Sequence, residues 1–87
     1  MIFSKLRIFY TEEFKKDIEK IKDKEIKERL KKIIKKLREN PEVGKPLRYR
    51  LSGLRSIKVS SFRIIYRVED DKIILLKFGH RKTIYKS

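Results

Sequence analysis

Four side chains in the last third of this 87-residue chain could together handle a phosphate: Lys58, Arg63, Arg81 and Tyr85. Guanidinium forks bind phosphate oxygens in pairs, and an ammonium supplies a compact point charge. Preorganised positive charge favours a phosphoryl-transfer transition state. Crowded cations also lower a lysine's pKa, which would ready Lys58 for proton transfer near neutral pH. Tyr85 offers a stacking ring or a proton-transfer group. His80 is the sole imidazole and a tempting acid or base, although its place at a strand end beside Gly79 suits a structural role better. Ser60 and Ser61 have no triad partners nearby in sequence, so serine nucleophilic catalysis is not expected. Metal is not required either: Glu69-Asp70-Asp71, the only close acidic group, reads as a turn rather than a ligand cluster.

The spacing of these residues suits a sheet with one buried and one cationic face. If Ser60-Ser61 is a two-residue turn, Val59 opposes Phe62, Lys58 opposes Arg63 and Ile57 opposes Ile64. Phe62, Ile64, Tyr66 and Val68 then share a face with Ile57 and Val59. Like charges directly opposite one another are destabilising, and an anion held between Lys58 and Arg63 would compensate. With Asp70-Asp71 as the next turn, Glu69 pairs with Lys72 and Arg63 falls opposite Phe78. Arg81 lies just beyond the end of that strand. Lys58, Arg63 and Arg81 are therefore expected to converge from three strands, an arrangement sensitive to register because a one-residue slip swaps faces.

The elements that must hold them follow from periodicity. Residues 2–10 are β-prone and read as a first strand. Thr11 can cap a helix with Glu12 and Glu13 in its first turn. Phe14, Ile18 and Ile21 form one stripe, and Ile26, Leu30, Ile33, Ile34 and Leu37 form another. At about 100° per residue the two stripes do not share a face. A break near Asp23 resolves this and gives two helices, 11–22 and 24–39, with Asn40-Pro41 ending the second. Lys15-Lys16 and Lys31-Lys32 read as solvated faces. Leu47, Tyr49 and Leu51 alternate before a turn at Ser52-Gly53, and strands follow at 54–59, 62–69 and 72–79. Ile73-Ile-Leu-Leu76 is apolar on both faces, as in an interior strand covered on both sides. The expectation is a single α+β domain over 1–87: an N-terminal strand, a two-helix hairpin, then an antiparallel β-meander.

Composition narrows the partner. The net charge is +14. Residues 45–87 hold 12 basic and 3 acidic side chains, against 14 and 9 in residues 1–44. Such an excess on a small domain points to a polyanion, nucleic acid before a membrane surface. No cysteine is present, so no disulfide framework or thiolate chemistry is expected. A single histidine without cysteine argues against structural zinc. No apolar run approaches the roughly 18 residues of a spanning helix, and the start lacks the apolar core of a signal peptide. A soluble cytoplasmic protein is the expectation. Ala, Gln, Cys and Trp are missing while Lys, Glu and Ile dominate, a bias that fits a high-temperature organism.

Leu51-Ser-Gly-Leu-Arg-Ser-Ile-Lys-Val-Ser-Ser-Phe-Arg-Ile-Ile-Tyr66, then a short acidic turn, an apolar strand and Gly79-His-Arg-Lys-Thr-Ile-Tyr85, resembles the RelE/ParE superfamily of toxins. The small size, the Lys- and Ile-rich composition and the closing Gly-His-Arg…Tyr look most like an archaeal RelE. The resemblance implies a RelE-like, microbial RNase-like fold in the toxin of a type II toxin–antitoxin system. It also implies metal-independent, cofactor-free cleavage of mRNA in the ribosomal A site, by attack of a 2′-hydroxyl on the adjacent phosphate. By position, Lys58 matches a catalytic lysine, Arg63 a phosphate-binding arginine, Arg81 the arginine most responsible for activity, and Tyr85 the C-terminal tyrosine. Some members carry a further lysine where this chain has Ser56. Arg48, Arg50, Arg55 and Lys82 are candidates for contacts to mRNA or rRNA. A RelB-type antitoxin is the implied partner, with operator DNA bound only through it. The other readings are a ParE-like toxin that binds gyrase without nuclease activity, and a non-catalytic RNA-binding module.

Overall fold

The computed structural model describes residues 6–85. Residues 2–5 of the expected first strand lie outside them. The strand itself is β1, Arg7–Tyr10, and Thr11 turns it into the first helix, α1, Glu12–Glu19. The Thr11 hydroxyl oxygen accepts from Phe14 N at 3.1 Å, occupying one of the N–H groups that a helix start leaves without an internal partner. Asp23 caps the second helix, α2, Lys24–Glu39, accepting from Glu25 N at 2.8 Å and Ile26 N at 3.4 Å. The break that separates the two apolar stripes is thus a capped helix start, and α2 stops at Asn40 before the proline. Phe14, Ile26, Leu30 and Leu37 are buried.

Beyond α2 lie a two-residue strand, β2, Lys45–Pro46, a 3-10 turn over Tyr49–Leu51, and three longer strands: β3, Arg55–Val59; β4, Phe62–Glu69; and β5, Lys72–His80. They form one sheet in the order β1-β5-β4-β3-β2. β3, β4 and β5 are an antiparallel meander, whereas β1 runs parallel to β5, because the helix hairpin carries the chain across one face before it enters the far edge. The helices cover that face, where Phe14 and the α2 stripe pack with Ile57, Val59, Ile64, Tyr66, Ile73, Leu75 and Phe78. The opposite face carries the cations.

One register departs from expectation. Lys58 is opposite Arg63 and Glu69 opposite Lys72, but Arg63 pairs with Gly79 rather than Phe78. Tyr66 pairs with Leu75 and Ile65 with Lys77, so Leu76 is the extra residue of a bulge. Without it, strict alternation from Ile73 and Leu75 would turn Lys77 into the core and Phe78 out of it. The bulge reverses this, and Phe78, 3% exposed, stacks on Phe62 with ring centroids 5.1 Å apart. The edge of β5 changes partner at the same point. β1 has ended, the Thr11 hydroxyl donates to the Leu75 and Leu76 carbonyls, and the Asp17 carboxylate accepts from Phe78 N at 2.9 Å.

The loop after α2 is held down from beneath. Tyr66, fully buried, donates its hydroxyl to Pro41 O at 2.8 Å and accepts from Gly44 N at 2.9 Å. Gly44 lies so close over the ring that a Cβ there would stand 2.7 Å from Tyr66 Cε1.

Candidate nucleic-acid interface

The β3–β4 turn puts Lys58 and Arg63 side by side on the open face of the sheet. Two residues, Ser60 and Ser61, make the turn, with Ser60 in the left-handed region at φ 59°. β5 brings His80 opposite Phe62, and Arg81 N donates to Ser61 O at 3.1 Å, so the residues after β5 lie directly against the β3–β4 turn. These elements enclose an open cleft of about 700 Å³. Lys58, Arg81 and Lys82 line it together with the two serines and His80. All three cations are exposed.

A further cation arrives from the helical layer: Arg29 of α2 lines the same cleft. The charge runs of α2 read as solvated from the sequence, and Arg29 is not among the residues that the sequence marks for the site. At about 100° per residue Arg29 stands roughly 60° from Ile26, at the margin of the apolar stripe. That marginal position was the available signal, but only the docking of α2 on β3 shows that it faces the β3–β4 turn. Among the described residues no carboxylate lines the cleft, and none lies within salt-bridge distance of Arg29, Lys58, Arg81 or Lys82.

Arg63 and Tyr85 stand beside the cleft rather than in its wall. Arg63 is half-buried next to Lys58, its Nε sealed from solvent and without a hydrogen-bond partner among the described residues. The turns after β5 fold back over the open face. Ile84 packs on Gly79, where a Cβ would meet it at 3.6 Å, and the Tyr85 hydroxyl lies 2.7 Å from Ser56 Oγ. Ser56 is 3% exposed, two residues along β3 from Lys58 and on the same face. Where some superfamily members carry a lysine, this chain has the anchor for its C-terminal tyrosine.

His80 holds the C-terminal turn and faces the cleft. Its carbonyl accepts from Thr83 N at 3.0 Å and Ile84 N at 2.9 Å, while its Nδ1 accepts from Lys82 N at 3.3 Å. A neutral ring so held carries its proton on Nε2. The ring stands edge-on to Phe62, with centroids 5.8 Å apart. Of the candidates outside the cleft, Arg48 and Arg50 are exposed, whereas Arg55 donates to Gly44 O at 2.7 Å and Glu42 O at 3.1 Å and so straps the loop after α2.

A larger groove, about 1300 Å³, lies between β1 and α2. Leu6, Ile8, Ile34 and Val68 give it an apolar floor, and Lys31 and Lys35 stand at it from α2. It contributes no convergent set of reactive groups and suits a peptide segment better than a reaction. No described helix is long and apolar enough to cross a membrane.

A helix hairpin packed on one face of a five-stranded mixed sheet matches the fold of RelE-like toxins. A chain of the RelBE2 toxin–antitoxin complex of Mycobacterium tuberculosis matches with a TM-score of 0.79 and 26% identity over 90% of this chain and 100% of that one. A chain of the RelB–RelE antitoxin–toxin complex of Methanococcus jannaschii matches with a TM-score of 0.71 and 28% identity, over 88% and 94%. In sequence, Toxin RelG of Mycobacterium tuberculosis is 39% identical over 51 residues, 56% of this chain and 59% of RelG. The aligned region thus spans under two thirds of that relative's length. Residues 8–85 match the family of the ParE toxin of the type II toxin–antitoxin system parDE, and the chain belongs to this family, within the RelE/ParE superfamily.

Proposed function

We propose that this toxin is a ribosome-dependent endoribonuclease that cuts mRNA in the A site through its own cations. The observation that carries the reading is the meeting of Arg29, Lys58, Arg81 and Lys82 on one cleft that, among the described residues, no carboxylate lines. Such a cleft favours the phosphate of a polyanion, and more so as charge builds on that phosphate. In the reaction a ribose 2′-oxygen bonds to phosphorus as the bond from phosphorus to the 5′-oxygen breaks. The products are a 2′,3′-cyclic phosphate and a 5′-hydroxyl, so one proton leaves the 2′-hydroxyl and one joins the 5′-oxygen. Lys58 and Arg81 hold the reacting phosphate, with Arg63 beside Lys58 adding charge from the sheet. Arg29 and Lys82 hold the flanking backbone. His80 offers its Nε2–H as a hydrogen bond to the leaving oxygen, which takes its proton from solvent, and Tyr85, docked on Ser56, borders the site where a ribose or base would lie.

The partner belongs to the same proposal. Both solved relatives are complexes with antitoxins. A cognate RelB-type antitoxin, acidic and amphipathic, would fit the apolar groove between β1 and α2 and neutralise part of the +14 charge. Operator DNA would be reached only through it.

The test is primer extension on mRNA from translating ribosomes. Cuts in phase with codons that vanish in Arg81→Ala are the expected result. Undiminished cleavage by Arg81→Ala removes this assignment of the site. The match to the ParE family supports a second reading, a gyrase poison, for which intact mRNA accompanied by DNA breaks is the outcome.

A further inference from the structure

Tyr49 is 90% exposed, while the next most exposed large hydrophobic residues, Phe9 and Tyr10, stand at 43% and 41%. Its backbone has φ 60°, a left-handed conformation that a bulky aromatic residue rarely adopts. The segment that imposes this conformation is not loose. Leu47 N donates to Leu54 O at 2.9 Å, Leu51 N to Arg48 O at 3.1 Å, Ser52 N to Tyr49 O at 2.9 Å and Leu54 N to Leu51 O at 3.1 Å. A closed, hydrogen-bonded turn therefore holds an aromatic ring out in solvent. Local strain of this kind persists where the surrounding structure enforces it, and it clusters at functional positions. Arg48 and Arg50 flank the ring, both exposed, and residues 45–54 contain no acidic side chain. The turn adjoins the Arg55 end of β3, while the cleft lies at the other end. Five residues at about 3.3 Å each separate the two by roughly 17 Å.

We propose that Tyr49 is a stacking platform for an unpaired RNA base, with Arg48 and Arg50 holding the phosphates on either side. The combination fits nucleic acid in particular: every base offers a π-face to an aromatic ring, and the adjoining cations match the backbone. A protein partner would instead call for a broad apolar surface around the ring, and Tyr49 has an exposed arginine on either side of it in sequence. The site lies outside both the cleft and the β1–α2 groove. It rests on the proposed RNA-directed function only in taking RNA as the polyanion.

The experiment measures binding of the full chain to a short unstructured RNA and to an abasic backbone of equal length, across a salt series. Tyr49→Ala is expected to weaken RNA binding by about 5- to 150-fold, with little change for the abasic strand and an unchanged salt slope. Tyr49→Phe should bind as the parent does. Arg48→Ala and Arg50→Ala should each lower the salt slope by about 0.7 on both strands. Tyr49→Ala that binds RNA as tightly as the parent overturns the proposal, as does equal weakening on both strands, which would make the ring a support for the arginines. An effect confined to binding an antitoxin would assign Tyr49 to a protein interface and overturn it too. A parent chain that binds neither strand refutes the RNA reading itself, a result distinguishable from all of these.

Discussion

The contact between Ser56 Oγ and Tyr85 Oη, 2.7 Å long, is unequal in its surroundings, and the inequality makes a sharp test. Ser56 is 3% exposed, whereas Tyr85 is only half-buried. Ser56→Ala removes one hydroxyl and leaves the other free to meet water, so its cost is that of a net hydrogen bond, about 0.5–1.5 kcal/mol. Tyr85→Phe leaves the Ser56 hydroxyl buried without this partner, so its cost rises toward the desolvation penalty of a buried polar group, about 1–3 kcal/mol. Removing both partners leaves no polar group stranded. The double variant should thus be more stable than Tyr85→Phe alone, with a coupling energy of about 0.5–3 kcal/mol. Urea and thermal unfolding of the four proteins measure this, and each kcal/mol corresponds to about 4–8 °C in a domain of this size. Zero coupling, or a larger loss from Ser56→Ala than from Tyr85→Phe, would refute the placement of the tyrosine. The cycle also separates folding from chemistry. If the Tyr85 hydroxyl takes part in cleavage, the double variant recovers stability relative to Tyr85→Phe without recovering activity.

Gly44→Ala places a methyl group against the buried Tyr66 ring and forces out the Gly44 N to Tyr66 Oη bond; overpacking and the lost bond together should cost about 2–4 kcal/mol, read by urea unfolding. Burial raises the Tyr66 hydroxyl's pKa above 10.0, with the Gly44 and Arg55 contacts opposing the rise. The neutral form is favoured on folding, so this stabilisation is complete below pH 10.0 and is lost as pH rises through the folded value; an alkaline unfolding series should show a loss that Tyr66→Phe flattens. Ser60 holds φ 59° at the cleft; Ser60→Gly should leave the melting temperature unchanged or higher, while Ser60→Val should lower stability by about 1–3 kcal/mol.

Much of the fold is legible because its signals are local. Thr11 and Asp23 cap helices through their own neighbours, and the change of apolar stripe marks the break between α1 and α2. A two-residue turn dictates its own register, so the opposition of Lys58 and Arg63 is readable from Ser60-Ser61 alone. The chain's length and spacing likewise suffice to place Arg81 near the β3–β4 turn. The bulge at Leu76 was partly readable, since Ile73, Leu75 and Phe78 break a strict two-residue alternation. What settles it lies outside β5, in the Thr11 hydroxyl and the Asp17 carboxylate that take over its edge.

The amino-acid sequence by itself determined the elements, the cationic strand face and the pairing across short turns, because periodicity and turn length act over a few residues. Only the tertiary structure decided that Arg29 joins the cleft, that Tyr85 is anchored on Ser56, and that Arg63 stands opposite Gly79. Those three depend on how a helix, a C-terminal turn and a bulged strand dock across distances that no local pattern encodes. The left-handed, exposed Tyr49 belongs with them: alternation with Leu47 and Leu51 suggested an ordinary extended residue, and the closing of the turn onto β3 made it an outlier.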